Sequence, residues 1–223
     1  MTRRVKLALL FGIVAALVPG TIAVGSSLFE SQGQQFHYFG PATDATDPDQ
    51  PESSDNDVAR FDTTGVAPVG MTRKVDETVF ALDNQLEFKY FYVGRSCGAG
   101  SPRIQLAVDV DGDGDTEGNL HGHVRPPYSA CAMNKWVFED TTDDERRWEI
   151  GAGLPGARPF PFYTWTEVEG LLGAATVRRG SLIEDSHAFS PANKGEAFYD
   201  RVQIGNEHFE DHNDSANTGV PAP

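Results

Sequence analysis

The densest group of residues able to do chemistry is Asp109-Val110-Asp111-Gly112-Asp113-Gly114-Asp115-Thr116-Glu117. Asp109, Asp111, Asp113 and Gly114 satisfy the first half of the calcium-loop pattern D-x-D-x-D-G, in which alternate carboxylates converge on one hard cation. Asp115 and Glu117 add further oxygens. The expected site is therefore a Ca2+ ion held by Asp109, Asp111, Asp113 and Asp115. Position twelve of an EF-type loop should be a bidentate Glu, and here it is Leu120, which argues against an EF-hand or dockerin. The same Asp and Gly residues also suit an ion-free hairpin tip that tolerates positive φ. Next to this loop, His121-Gly122-His123 places two imidazoles on one face of a strand. That pattern can bind a transition metal together with Asp109, although strand histidines are more often simply solvated.

No catalytic motif stands out. Gly151-Ala152-Gly153-Leu154-Pro155-Gly156 matches G-x-G-x-x-G in letters, but it runs into Pro159 and Pro161 instead of opening a helix, so it reads as a loop. His208 and His212 are four apart without a Glu directly after the first, which is not the zinc-protease pattern. No G-x-S-x-G elbow occurs. Carboxylates are abundant enough for a glycosidase pair, yet none can be named. Trp136, Trp148, Trp165, Tyr128 and Tyr163 suit either a sugar platform or a core; of these, Tyr128 and Trp136 are the candidates for ligand stacking.

The elements that must carry these residues are mostly strands, because apolar residues recur with a period of two. Alternation predicts strands at Leu86 to Val93 and Ile104 to Val110, with others at Val79 to Leu82, Leu120 to Val124, Trp136 to Glu139, Trp148 to Ile150, Thr176 to Glu184 and Ala197 to Ile204. One helix is expected over 164–173, where Thr164 and Glu167 form a capping box and Gly173 can close the end. The 104–110 and 120–124 strands should form a hairpin with the acidic loop at its tip. Ile104, Leu106, Val108 and Val110 would share the core side with Leu120 and Val124, and Asp109, His121 and His123 would face away.

Arg3, Arg4 and Lys6 followed by an apolar run from Leu7 to Val18 have the layout of a signal peptide, with a cut expected after Gly25. Thr2-Arg3-Arg4-Val5-Lys6-Leu7 resembles a twin-arginine signal, so either export route stays open. In an exported chain the cysteines Cys97 and Cys131 read as a disulfide that clasps the base of the hairpin; metal binding by two thiols is the alternative. The segment 26–57 should be an N-terminal stretch with a solvated acidic linker, 58–205 the sandwich and 206–223 a disordered acidic tail. No membrane-spanning segment is expected after signal removal. The net charge of −15, from 33 acidic against 18 basic side chains, excludes a basic nucleic-acid binder.

The string from Gly94 to Leu106, containing Ser96-Cys97-Gly98-Ala99-Gly100-Ser101-Pro102-Arg103, resembles secreted domains of unassigned function. The turn Asp111 to Gly114, Gly122-His123-Val124, Pro126-Pro127, Cys131 and Trp136 extend that resemblance, and Phe198 to Ile204 is similar to the last strand of jelly-roll carbohydrate-binding modules. The resemblance implies an all-β, antiparallel, jelly-roll-like sandwich. The function expected is that of a secreted or cell-surface, non-catalytic domain binding a glycan or another extracellular surface partner, with Ca2+ steadying the tip. An extracellular polysaccharide hydrolase and a subunit of a surface assembly are the alternatives.

Overall fold

A computed structural model describes residues 36–51, 57–65, 67–98, 101–125, 131–157, 162–185 and 191–209. Among the described residues, twelve strands fall into two antiparallel sheets. The first sheet has the order β1 (His37–Phe39), β4 (Val69–Thr78), β10 (Thr176–Glu184), β6 (Arg103–Asp109), β7 (Gly118–His123), β9 (Trp148–Ile150). The second runs β2 (Ala42–Thr46), β3 (Asp57–Asp62), β11 (Glu196–Ile204), β5 (Leu86–Val93), β8 (Val137–Asp140), with β12 (Glu207–Phe209) paired to β11. The two long late strands, β10 and β11, return to the middle of their sheets, between early and later strands. The expected antiparallel sandwich is thus present.

One helix, α1 (Trp165–Leu172), starts at Thr164, whose side chain accepts from the Glu167 amide while the Glu167 carboxylate accepts from the Thr164 amide. Trp165, Val168 and Leu172 form its buried face, and the Trp165 and Trp148 rings meet at 4.8 Å. Among the described residues, no helix is long and apolar enough to cross a membrane.

Several expectations are corrected. Val79–Leu82 is a 3-10 turn, because Thr78 caps it by accepting from the Ala81 amide. The acidic stretch taken as a solvated linker contains β2, an edge strand whose main chain pairs with β3 even though its side chains bury little. The tail expected to be disordered from Asn206 begins with β12, anchored by buried Phe209. Val110 is 37% exposed and lies beyond β6, not in the core. Tyr128 and the sequences 1–25 and 210–223 lie outside the described residues.

The mostly apolar sandwich interior encloses a few charged groups, and one cluster of them lies at the end of β10. Glu184, the last residue of β10, is fully buried and faces the second sheet. The Arg95 guanidinium lies 3.1 Å from Oε1, and the Tyr92 and Tyr199 hydroxyls donate to Oε2 at 2.7 and 3.1 Å. Arg95 also donates to Thr63 Oγ1 at 2.7 Å and lies over the Tyr92 ring at 4.6 Å. Burial, reinforced by the Glu184 charge, pushes both tyrosine hydroxyls well above their ordinary range. One carboxylate on the first sheet therefore gathers donors from β5, β11 and the segment after β5. Removing one partner of such a pair leaves the other charged and dry, which costs about 3–5 kcal/mol. Glu184→Ala should lower the urea-unfolding free energy by that amount, and a loss below about 1 kcal/mol, the value of an exposed pair, would show that the clamp is not structural.

Candidate metal centre

The hairpin that carries the acidic loop is fixed from both faces. Leu106 pairs with Leu120 and Ile104 with Gly122, so Ile104, Leu106, Val108 and Leu120 all turn into the core. Gly122 is required there: a Cβ would stand 2.6 Å from the Trp148 ring. At the base, Cys97 and Cys131 form the expected disulfide, with the Cys131 amide donating to Cys97 Sγ at 3.0 Å.

At the tip, Asp109 organises the loop. Its Oδ1 accepts from the Gly112 amide at 2.7 Å and its Oδ2 from the Gly114 amide at 3.0 Å. Asp111 accepts from the Asp113 amide, Asp113 from the Asp115 amide, and Glu117 from the Val110 amide at 2.6 Å. Gly114, at φ +100°, makes the sharp turn at position six. Asp109, Asp111, Asp113 and Glu117 each bring one carboxylate oxygen within 4.8 Å of the others. This cluster can hold a metal ion.

Three of the four ligands expected from sequence are in this group; Asp115 is not, and Glu117 takes the fourth place. The reason is positional. Counting from Asp109, Asp115 is at position seven, where a calcium loop offers its main-chain carbonyl, and Glu117 is at position nine, where it offers a side chain. Leu120, at position twelve, is locked in the core opposite Leu106.

One cation already serves the cluster. Arg178 donates through Nε at 2.9 Å and Nη2 at 2.5 Å to Asp109 Oδ2, and its Nη1 lies 3.4 Å from Asp76. The β10 register skips Arg178 against both β4 and β6, so this residue is a bulge that re-aims its side chain toward the tip. The Arg178 hydrogen bond, helped by the Gly112 and Gly114 amides, holds the Asp109 carboxyl below the usual aspartate range. No local sequence signal marks Arg178, because its role depends on where the bulge falls.

The other candidate positions are dispersed. Asp109 is four residues along β6 from Gln105, the partner of His121, which at 3.4 Å per residue is roughly 14 Å. Asp109 is therefore not a third ligand for the histidines. They instead lie beside β9, with His121 opposite Glu149 and the His123 Nε2 3.6 Å from Glu149 Oε2. Trp136 is half-buried, its indole N–H donating to Asp47 at 3.1 Å and its ring 5.5 Å from Phe91. With Phe91, Phe198, Val58 and Ala45 it forms a small apolar cluster on the outer face of the second sheet, where Phe138 is 50% exposed. Trp148, Trp165 and Tyr163 are buried.

No family model matches the chain, and no curated protein matches it. Among solved structures, an arabinose-bound α-L-arabinofuranosidase is similar at a TM-score of 0.31 and 12% identity, over 74% of this chain and 22% of that protein. The chain thus spans about a fifth of that protein's length.

Burial lowers the His121 imidazole to about 4, with the Arg103 charge adding to the shift. The folded state therefore resists protonating this group, whereas the unfolded chain takes up the proton near 6.5. Its contribution is complete above pH 6.5 and is lost as the pH falls toward 4, by roughly 2–3 kcal/mol. In metal-free buffer, His121→Gln should flatten the fall in melting temperature between pH 6.5 and 4. An unchanged slope would remove His121 as its source.

Proposed function

We propose that the protein is an exported, non-catalytic β-sandwich module whose hairpin tip binds Ca2+ and which binds a glycan or another extracellular surface partner. The observation that carries this reading is the convergence of Asp109, Asp111, Asp113 and Glu117 around the Asp109–Gly114 turn. All four donors are carboxylate oxygens, the chemistry of a hard cation, and their spacing follows positions one, three, five and nine of a calcium loop. The Cys97–Cys131 disulfide supports an oxidising compartment. Support for the partner is the outer face of the second sheet, where Trp136 borders exposed Phe138 and Val93. There Lys89 and Asp200, 3.9 Å apart, add polar groups to the apolar face.

Arg178 competes for Asp109, and no bidentate Glu closes the loop, so the affinity should be that of an extracellular module, with Kd about 10⁻⁴ to 10⁻³ M. Calorimetry on EGTA-stripped protein should show one Ca2+ bound, with a rise in melting temperature. Asp111 and Asp113 are exposed, so Asp111→Asn with Asp113→Asn should abolish the heat while leaving the fold intact. Absence of both heat and thermal shift in the parent chain would remove the ion. For the partner, a glycan array in Ca2+ should return a ligand that Trp136→Ala loses without unfolding. An empty array, or a variant that merely unfolds, would remove the glycan reading.

A further inference from the structure

The outer face of the second sheet carries one ion pair unlike the others. Lys89 of β5 and Asp200 of β11 stand directly opposite in the ladder, and the Lys89 Nζ lies 3.9 Å from Asp200 Oδ2, beyond hydrogen-bonding reach. We propose that these two side chains condense into an intramolecular isopeptide bond, with Asp47 as the proton carrier and water as the leaving product.

The surroundings of the pair favour bond formation. Phe138 faces Lys89 from β8, and Phe91 and Phe198, two residues away on β5 and β11, belong to the apolar cluster that includes Trp136. The two side chains are only 28% and 21% exposed. Burial raises the Asp200 carboxyl above its ordinary range, although Lys89 and Arg201 pull the other way. Elsewhere in the sandwich the partner cations of Asp76 and Asp109 hold those carboxyls below theirs. Asp200 is therefore biased toward the acid, the form that yields an amide, whereas a carboxylate resists attack.

The two oxygens of Asp200 also have different partners. Oδ1 accepts from the Arg201 amide at 2.7 Å, the distance of an oxyanion donor, while Oδ2 faces the lysine. Arg201, at φ +46°, lies in the bulge where β11 leaves its register with β5, so the chain turns an amide onto the carboxyl at this point. Asp47 is 5% exposed, its Oδ1 accepts from the Trp136 indole N–H and the Asp49 amide, and its charge adds to the shift of Asp200.

In the reaction, Asp47 takes one proton from the Lys89 ammonium. The amine lone pair forms the N–C bond at Asp200 Cγ, and the charge placed on Oδ1 is held by the Arg201 amide. The Cγ–Oδ2 bond then breaks; Oδ2 keeps its own proton, gains one from the nitrogen and departs as water. Nothing is oxidised or reduced, and the proton on Asp47 passes to solvent. The product ties β5 to β11, the strands that also bring Tyr92 and Tyr199 to Glu184.

The test is the intact mass of the full chain after reduction of its disulfide. It should be lighter by one water than the chain between its sequenced ends, and a digest should contain one branched peptide joining Lys89 to Asp200. Lys89→Arg keeps the charge pair but not the nucleophile, and Asp200→Ala removes the electrophile, so each variant should retain the water. Asp47→Asn should leave open chains beside closed ones. A parent chain of full mass would overturn the proposal. So would a loss of water that survives Lys89→Arg, which would place it in a cyclic imide at Asp111-Gly112 or Asp113-Gly114. Complete closure in Asp47→Asn would overturn the proton route.

Discussion

The carboxylate of Glu184 is the constraint around which the sandwich is arranged. A charge without water must be met by donors from every side, and this one is met by Arg95, Tyr92 and Tyr199 from the opposite sheet. An apolar interior alone tolerates sliding of one sheet over the other at little cost, whereas three directional bonds to one carboxylate do not. Arg95 leads within two residues to Cys97, so the clamp also fixes one foot of the disulfide and, through it, the base of the hairpin.

The hairpin turns that rigidity into two chemically different surfaces. Its inward parity is set by Leu106 opposite Leu120, and once that is fixed every alternate residue must face outward. At the tip the outward residues meet their own loop and Arg178 of β10, and carboxylates gather around Asp109. Midway along, they meet β9, and imidazoles face a carboxylate.

Much of this was legible in the residues. The strands β5, β9 and β10 and the capped helix follow from alternation and from Thr164 with Glu167, because there the local signal and the tertiary demand agree. The first strands were not legible. β4 carries Arg73 at an inward position, where it is 3% exposed and donates to the Ile204 carbonyl, so its apolar alternation is broken. β2 is an acidic edge strand held by main-chain pairing, which leaves no mark on side-chain pattern. The acidic loop was readable as a motif, and the exchange of Asp115 for Glu117 follows from counting its positions seven and nine. Glu149 and Arg178 depend on which strands become neighbours, and no local window contains that information.

The bulge in β10 carries a further consequence. Val177 faces Val108 and Gly180 faces Leu106 on either side of Arg178, so excising that residue would restore one-to-one pairing with β6. The other neighbour, β4, spans Glu77 to Lys74 over the same step and would keep its own irregularity. What would change is the electrical state of a loop on a neighbouring strand, since Asp109 would lose its resident counter-charge. A single-residue deletion at this bulge would thus leave the β6 ladder in phase while removing the charge that balances the hairpin tip.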